Sequence, residues 1–245
     1  FGGRDHRITF CNPGTIRAGG TTYAIPAGGL TAANVASLEP GTVNRCNGSI
    51  GQDLFPEQTY NSFSGTFTFD LGERVTLFGD GFYSKRDLVR NPPRPTGTLV
   101  VPETNAWFVR PAGFAGTSYQ IEYGFFADLP SDVNTGGSES MQITPGLRVK
   151  LARDWQLEAV VGYGATKDQA NSYRGLNNAA LTAALASSDP ATAFDPYGLG
   201  RTSASVLAAI SDQKFLAPTN GYFTGYELRL NGAVMALPGG DLGVA

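Results

Sequence analysis

Several segments of the chain alternate apolar and polar residues with a period of two, which is the pattern of a β-strand with one apolar and one polar face. Between Tyr60 and Leu71, for example, Phe63, Phe67 and Phe69 alternate with serines and threonines. The same alternation is found in three further segments, Met141–Leu151, Trp155–Thr166 and Tyr222–Val234. The pattern predicts four two-faced strands.

A further strand is predicted between Arg74 and Arg86, although its alternation is less regular. Phe78 and Phe82 fall on the face that carries the charged Asp80. A new alternation also begins after the turn at Leu237–Gly240. We therefore expect about five long strands and the start of a sixth.

The predicted strands are long, and short and long connections join them in turn. Ordinary globular strands contain about five or six residues, whereas a strand that crosses a membrane needs about 9 to 11. The tight turns Leu71–Glu73 and Ala152–Asp154 alternate with the long connections Asp87–Gln120 and Lys167–Asn220. This alternation is typical of outer-membrane barrels, and compact soluble domains rarely contain such long loops. We therefore predict an all-β fold, an antiparallel transmembrane β-barrel with long external loops; a soluble β-sandwich or solenoid is the alternative.

A barrel strand turns its apolar side to lipid, so the apolar face of the predicted strands is expected to meet the membrane. Its members are Phe67, Phe69, Leu147, Val149, Leu157, Val161, Leu228 and Leu230.

The long connections contain helix and hairpin signals of their own. Asn177–Ser187 and Ser203–Ser211 each begin with a residue that caps helices and continue with Ala, Leu or Val, so two short helices are predicted. Tyr119–Leu129 and the segment from Ser138 onward are expected to form a hairpin that extends a spanning strand.

The alternation also predicts the pairing of the strands at both tight turns. The apolar faces of two paired strands lie on the same side of the sheet only if opposed residues have numbers of the same parity. The turn between the strands must then contain an odd number of residues. A three-residue turn at Ala152–Asp154 places Arg148 opposite Glu158 and Val149 opposite Leu157. The same rule at the other turn places Asp70 opposite Arg74 and Phe67 opposite Leu77.

Composition narrows the class of protein. The 245 residues suffice for one large or two small domains, and the net charge of −3 comes without a block of Lys or Arg. Nucleic acid is therefore not expected as a partner. No apolar stretch approaches the roughly 20 residues of a spanning helix, which excludes a helical membrane protein. The chain opens without Met or a signal segment, and we expect it to be an internal fragment.

The two cysteines, Cys11 and Cys46, flank a stretch rich in Gly, Pro, Thr and Asn. Neither belongs to a CxxC pair or to a cluster of zinc ligands. We predict a disulfide that closes this loop outside the cytoplasm, with two unrelated free thiols as the alternative.

The side chains needed for catalysis are scarce. His6 is the only histidine, and no Gly-x-Ser-x-Gly motif is present. Asp128 and Asp132 could be imagined as the acid and base of a glycosidase, yet they surround a hairpin tip where solvated carboxylates are usual. We predict that the chain is not an enzyme and that it has no metal site and no cofactor.

Three segments resemble the barrel domain of TonB-dependent outer-membrane receptors, particularly the subfamily of sphingomonads, caulobacters and xanthomonad-like bacteria. The first is the turn and strand Leu71–Asp87, the second is Val101–Val109 in the following loop, and the most similar is Ala184–Gly198 followed by Val206–Ile210. The last segment resembles the helical external loop of that subfamily.

The resemblance implies a 22-stranded barrel with an N-terminal plug and a TonB box that receives energy from the TonB–ExbB–ExbD complex. It implies uptake of a scarce nutrient such as an iron–siderophore, a vitamin or an oligosaccharide across the bacterial outer membrane. Residues 1–245 would be a fragment of one such barrel domain, without the plug and the C-terminal strand of the barrel. The alternatives are a passive porin-type barrel and a secreted β-rich enzyme or adhesin.

A small nutrient would meet the external loops, where aromatic and charged residues mix. Such residues suit sugars, aromatic chelates or anionic groups. The candidates, chosen by loop location only, are Trp107, Phe108, Arg110, Tyr173, Arg174, Tyr197 and Arg201. Packing of the loops against one another is the alternative for each of them.

Overall fold

The computed structural model describes residue 3 and residues 5–245, and these form two compact units with one antiparallel sheet each. The first unit consists of Phe1–Pro56, Arg90–Asn134 and Asn171–Phe215, and the second of Glu57–Val89, Thr135–Ala170 and Leu216–Ala245. Both sheets are open at their edges. The prediction of a mostly β, antiparallel fold is confirmed, and the described residues form no closed barrel.

Ten strands and two α-helices make up the regular structure of the described residues. The strands are β1 (Thr15–Ala18), β2 (Thr21–Ala24), β3 (Glu57–Leu71), β4 (Val75–Arg90), β5 (Thr96–Pro102), β6 (Ser118–Gly124), β7 (Asn134–Lys150), β8 (Gln156–Gly175), β9 (Gln213–Leu237) and β10 (Gly240–Val244). The helices are α1 (Asn178–Ala186) and α2 (Ala204–Ile210). Short 3-10 turns lie at Val35–Ser37 and Ala152–Asp154. No helix in the described part of the chain is long and apolar enough to cross a membrane.

The second unit contains a six-stranded sheet in the order β10-β9-β8-β7-β4-β3. Five of these strands are 15 to 25 residues long, and β10 is short, as the sequence predicts. The period-two pattern therefore identified every long strand, although each extends beyond the segment in which the alternation is clearest.

The two faces of this sheet differ in chemistry. Phe67, Phe69, Leu147, Val161 and Leu228 share one side, the apolar face, and each is exposed. The opposite side, the polar face, carries Asp80, Gln142, Arg148, Glu158 and Arg229. Among the described residues, the buried hydrophobic side chains all lie in the first unit. Nothing within the chain's second unit therefore covers the apolar face.

Aromatic rings lie over glycines of neighbouring strands on both faces. A Cβ added to Gly146 would stand 2.3 Å from the Phe78 ring, and one on Gly232 would stand 2.4 Å from the Trp155 ring. Only a residue without Cβ lets a ring approach the backbone so closely. The alternation leaves Phe78 on the polar face, and the absence of a side chain at Gly146 gives the Phe78 ring the space to lie there.

The predicted pairing of β7 with β8 is confirmed. The Leu151 N–H donates to the Trp155 carbonyl at 2.7 Å, which closes the hairpin between these two residues. Arg148 Nη2 lies 2.7 Å from Glu158 Oε2, so the two side chains share the polar face. An exposed pair of this kind contributes about 0.2 to 1 kcal/mol, and its main effect is to fix the register.

The predicted pairing of β3 with β4 is wrong by two residues. Leu71 pairs with Val75 and Phe67 with Gly79, so the turn is Gly72–Arg74 and Asp70 faces Thr76 instead of Arg74. The parity rule holds, but it cannot distinguish registers that differ by two. Gly72, with φ of 78°, occupies the first turn position, where glycine adopts a left-handed conformation without strain.

The first unit contains a four-stranded sheet in the order β2-β1-β6-β5 together with both helices. The side chains of Asn177 and Ser203 cap α1 and α2 as predicted, because they accept hydrogen bonds from the amides of Ala180 and Val206. The core brings the sheet and helices together and includes Ile16, Val101, Ile121, Tyr123, Phe125, Leu185, Phe194 and Ile210. The segment before β3 and the long connections therefore share one hydrophobic core.

The predicted hairpin between Tyr119–Leu129 and the strand after Ser138 is not formed. Residues Ser118–Gly124 are β6, which pairs with β1 and β5 and not with β7. The reason is that both edges of β6 are paired, one with β1 and the other with β5, while Tyr119, Ile121 and Tyr123 are buried in the core of the first unit. A strand with both edges paired has no free edge for a hairpin partner such as β7.

Cys11 and Cys46 form a disulfide in the first unit, with their Cα atoms 5.7 Å apart. Ile8 and Cys46 exchange two backbone hydrogen bonds of 3.0 Å, and Cys11 forms a bridge with Tyr123 of β6. The crosslink therefore attaches the N-terminal segment to the edge of the core.

Candidate functional site

The polar face of the six-stranded sheet carries an ordered set of charges near the tight turns. Glu158 lies 2.7 Å from Arg148 and 3.9 Å from Arg229, which also reaches Glu227 at 2.5 Å. The Arg148 guanidinium also stands 4.9 Å from the centre of the Phe78 ring. Each of these four charges has a partner of opposite sign, and the Arg148 guanidinium covers Phe78, so the two guanidiniums and the Phe78 ring are occupied within the protein.

Farther from the tight turns, two aromatic rings on the polar face stand open. Phe82 of β4 is 43% exposed and Phe223 of β9 is 61% exposed. Both line one hollow of about 390 Å³, together with Gln142, Gly164 and Thr166. Ligand pockets begin at roughly 300 Å³, so the hollow has room for a small molecule or for one unit of a longer one.

Two more hollows adjoin the first. One, of about 370 Å³, shares Gln142 and Phe223 with it and adds Thr144, Gly162 and Glu227. The other, of about 380 Å³, shares Phe82 and adds Ser64, Thr66 and Asp80. The three hollows therefore form a continuous surface, which we call the transverse groove.

The strand pairing explains why these residues lie side by side. Ser64 pairs with Phe82, and a Cβ on Gly81 would stand 3.1 Å from the Gln142 carbonyl oxygen of the next strand. A Cβ on Gly164 would stand 3.6 Å from the Met141 carbonyl oxygen and 3.8 Å from Phe223 Cβ. The groove thus runs across the strands from β3 to β9, a width of about 19 Å at 4.8 Å per strand.

Glycines shape the floor of the transverse groove. Cβ atoms on Gly162 and Gly164 would contact the Phe223 side chain at 3.5 and 3.8 Å. Because these positions carry no side chain, Phe223 rests beside open backbone, and the hollows on both sides of it stay free.

Among the residues that line the three hollows, the charged ones are the carboxylates Asp80 and Glu227, and no lysine or arginine is among them. The other polar groups are hydroxyls and the Gln142 amide, which donates to Thr144 Oγ1 at 3.3 Å. The groove can therefore stack an apolar ring face on Phe82 or Phe223 and hydrogen-bond hydroxyls, but it has no cation for an anionic group.

The residues predicted from the loops lie elsewhere, in the first unit. Tyr197 is fully buried, and its hydroxyl lies 2.5 Å from that of Tyr119 and accepts a hydrogen bond from the Val109 N–H at 3.2 Å. Burial raises the pKa of Tyr197 to about 12, and it also raises the pKa of Tyr119. Tyr197 is thus part of the core and does not meet a ligand at the surface.

Trp107 and Arg201 are held against each other by a buried acid. The Arg201 guanidinium lies 4.0 Å from the centre of a Trp107 ring, and its Nε and Nη2 atoms donate to both oxygens of the buried Asp195 at 2.9 and 3.0 Å. The same carboxylate accepts from the Tyr197 N–H. The guanidinium is therefore occupied within the protein.

Phe108 and Arg110 form a second such arrangement. Arg110 stands 5.3 Å from the centre of the Phe108 ring, and it donates to Glu103 at 2.9 Å and to the Gly116 carbonyl at 2.6 Å. Phe108 in turn packs 5.0 Å from the buried Tyr119 ring. The contacts of Phe108 and Arg110 are therefore those of loops that pack against one another, which was the alternative to ligand binding.

Tyr173 and Arg174 were predicted in a loop, but they belong to the end of β8, where hydrogen bonds to their backbone amides fix them. Asp132, which is buried, accepts hydrogen bonds from the amides of Tyr173, Arg174 and Val133 at 2.8 to 3.1 Å, and from the Ser172 hydroxyl at 2.6 Å. Burial acts to raise the pKa of Asp132, but these hydrogen bonds outweigh it and hold the pKa below its ordinary value.

Asp132 is therefore expected to stabilise the first unit in a pH-dependent way. A carboxyl whose pKa is lowered by folding contributes stability above its ordinary pKa of about 3.8, and the contribution is lost as the pH falls through the folded value. Asp132→Asn should lower the free energy of unfolding by about 1.5 to 3 kcal/mol at pH 6. In urea titrations at pH 6 and pH 2, the difference between wild type and variant should shrink at pH 2. An equal difference at both values would contradict the role of the ionised carboxylate.

The other candidate for acid chemistry is also held in place. Asp128 accepts hydrogen bonds from the Tyr123 hydroxyl at 2.7 Å and from the Asn12 amide at 3.0 Å, and burial raises its pKa. His6 is exposed. Among the residues that the structure describes, no group of three or more His, Cys, Asp or Glu side chains could hold a metal ion.

The loop-based prediction did not include the transverse groove. One signal was present in the sequence, because Phe82 broke the alternation by joining Asp80 on a polar face. Such an open aromatic residue on a hydrophilic face is a reason to look for a ligand there. Phe223 gives the same signal in β9, beside Gly221 and Gly225.

The fold and the groove define a β-rich protein with one long-stranded, two-faced sheet and a compact unit built from the segment before β3 and the long connections. Comparison of the chain with protein-family models, with curated proteins and with solved structures gives no match.

Proposed function

We propose that the chain is part of the wall of a transmembrane β-barrel in a bacterial outer membrane, in a receptor of the TonB-dependent kind that imports a scarce nutrient. The observation that carries this proposal is the exposed apolar face of the six-stranded sheet. Soluble monomers rarely expose an apolar patch of more than a few hundred Å². In lipid, an exposed apolar face carries no free-energy penalty of contact with water.

The opposite face supports the same proposal. Its charges and amides need water, and the lumen of a large barrel provides it. The two-faced strands are 15 to 25 residues long. This length is sufficient to cross a membrane and to extend beyond it.

The connections of the sheet are also consistent with an outer-membrane barrel. Short turns join β3 to β4, β7 to β8 and β9 to β10, whereas the connections from β4 to β7 and from β8 to β9 are long. Barrels of this membrane have short turns on the periplasmic side and long loops outside. The disulfide in the first unit suits an oxidising compartment.

Energy coupling rests on the sequence resemblance to TonB-dependent receptors. In that family a plug domain contacts TonB, which works with ExbB and ExbD, and the barrel wall with its loops receives the nutrient. This chain would supply wall and loops, with lipid, the coupling complex and a small nutrient as partners. A passive porin-type barrel shares the membrane location but not the coupling.

The membrane assignment can be tested with the natural protein in its own cells. We expect it in the outer-membrane fraction after urea washing, because only an integrated barrel resists extraction. Recovery as a soluble monomer without detergent would contradict the proposal.

The choice between a coupled receptor and a porin needs a second measurement. In planar bilayers the purified protein should conduct no steady current, since a plug closes the barrel, and it should crosslink to TonB in cells. A steady open-channel current without a TonB crosslink would instead indicate a passive porin.

A further inference from the structure

We infer that the transverse groove binds a neutral oligosaccharide, with Phe82 and Phe223 as stacking platforms for sugar rings. The inference rests on the proposed function, because it names the class of nutrient that the receptor would take. It uses the polar face of the sheet and none of the loop residues predicted from the sequence.

The chemistry of the groove matches that of a saccharide. A sugar ring has an apolar face, which an aromatic ring can cover, and a rim of hydroxyls, which need hydrogen-bond donors and acceptors. The groove offers two exposed rings, and between and beside them it offers the Gln142 amide and the hydroxyls of Thr66, Thr144 and Thr166.

Charge argues for a neutral ligand. The lining contains no lysine or arginine, and the neighbouring Arg229 is already paired with Glu227, so an anionic ligand such as a carboxylate-rich iron chelate would find no free basic partner. Carboxylates accept hydrogen bonds from hydroxyl groups, which a neutral sugar has in abundance.

The length of the groove argues for several linked sugars. Three adjoining hollows cross five strands over about 19 Å, and the rings of Phe82 and Phe223 stand on β4 and β9 with two strands between them. A chain of sugars can place one unit on each ring and lie along the glycines of β8, whereas a single sugar cannot reach both.

Phe78 provides a matched control. It lies on the same face and the same strand as Phe82, but the Arg148 guanidinium stands over its ring. Its ring is therefore not available to a sugar. Phe78→Ala should leave binding unchanged, while Phe82→Ala and Phe223→Ala should each weaken it.

The test is calorimetric titration of the full-length protein in an amine-oxide detergent, which avoids the sugar headgroups of maltoside detergents. The probes are neutral hexasaccharides of α-1,4-glucose, β-1,4-glucose, β-1,4-mannose and β-1,4-xylose, and the anionic control is hexagalacturonate. We expect at least one neutral probe to bind. Phe82→Ala and Phe223→Ala should each weaken that binding about three- to tenfold, the effect of one stacked ring.

Three results would overturn the inference. One is that none of the neutral probes binds, and another is that hexagalacturonate binds as well as they do. The third is that Phe82→Ala and Phe223→Ala lower thermal stability while affinity stays unchanged, since the rings would then be packing surfaces. If the protein is integrated in the outer membrane but any of these results is obtained, the receptor proposal stands and only the ligand class fails.

Discussion

An arginine in place of Val161 is expected to lower the free energy of unfolding in a lipid bilayer by about 2 to 4 kcal/mol. Val161 lies on the exposed apolar face, within β8 and away from both of its ends. At that depth a guanidinium has neither water nor a counterion, so the cost is that of bringing a charge into hydrocarbon. The free energy is measured by unfolding the natural protein in lipid vesicles with guanidinium chloride.

The neighbouring residue supplies the control for this substitution. Val160 has the same side chain in the same strand, but it lines the transverse groove on the polar face. Val160→Arg should cost less than about 1 kcal/mol, because the inner side of a barrel wall is polar. Equal losses for the two variants would show that both faces meet the same environment and would contradict a membrane.

Depth gives an independent check on the same face. Leu151 is exposed and borders the Ala152–Asp154 turn, where an interface would lie. Leu151→Arg should cost only about 0 to 1 kcal/mol, since a long side chain there reaches the headgroups. If the apolar face packed on another protein, the losses would instead follow local packing and not distance from the turn.

The long sheet could be predicted from the sequence because the determining interactions are local. A strand with two different faces shows its character in every second residue, and Met141–Leu151 or Trp155–Thr166 needs no distant partner to be recognised. The β7–β8 register follows from the same pattern once the length of the turn is fixed. At the turn that contains Gly72 the pattern fits two registers that differ by two residues, and the alternation alone does not distinguish them.

The first unit could not be predicted in the same way, because distant contacts determine it. Its strands are four to seven residues long, and β6 pairs with β1, about a hundred residues earlier in the chain. The alternation of Tyr119, Ile121 and Tyr123 with Gln120 and Glu122 predicts a strand there, but so short a pattern does not identify the strands that pair with it. The helices α1 and α2 were recognised because caps are local, but their place beside the sheet depends on the core.

The loop candidates show the same limit for functional residues. Trp107, Arg110 and Arg201 have the chemistry of a binding site, but Glu103 and Asp195 occupy both guanidiniums. The sequence shows that a loop contains aromatic and basic residues. It does not show whether these side chains are already bound by other residues of the same protein. In the sheet, by contrast, the parity of a residue determines its face, so Phe82 could be placed on the polar side from sequence alone.

Loss of the Cys11–Cys46 disulfide is expected to lower the stability of the first unit by about 3.8 kcal/mol, on the model in which a crosslink removes entropy from the unfolded chain. The two cysteines are 35 residues apart in the sequence, and few backbone hydrogen bonds hold the loop between them to the segment around Ile8. The variant to measure is Cys11→Ser together with Cys46→Ser, in urea titrations followed by a probe in the first unit.

Reductant provides the control, because it should destabilise the wild type by a similar amount and leave the double variant unchanged. The effect should also be uneven along the chain. Amide exchange should accelerate most at Ile8 and Cys46, whose mutual hydrogen bonds of 3.0 Å depend on the crosslink, and least in the second unit. A loss below about 1 kcal/mol would mean that the unfolded chain already keeps the two cysteines near each other, so that the crosslink removes little entropy from it. In that case contacts such as the hydrogen bonds from the Asn44 amide to the carbonyls of Gly14 and Ile25 would persist in part in the unfolded chain.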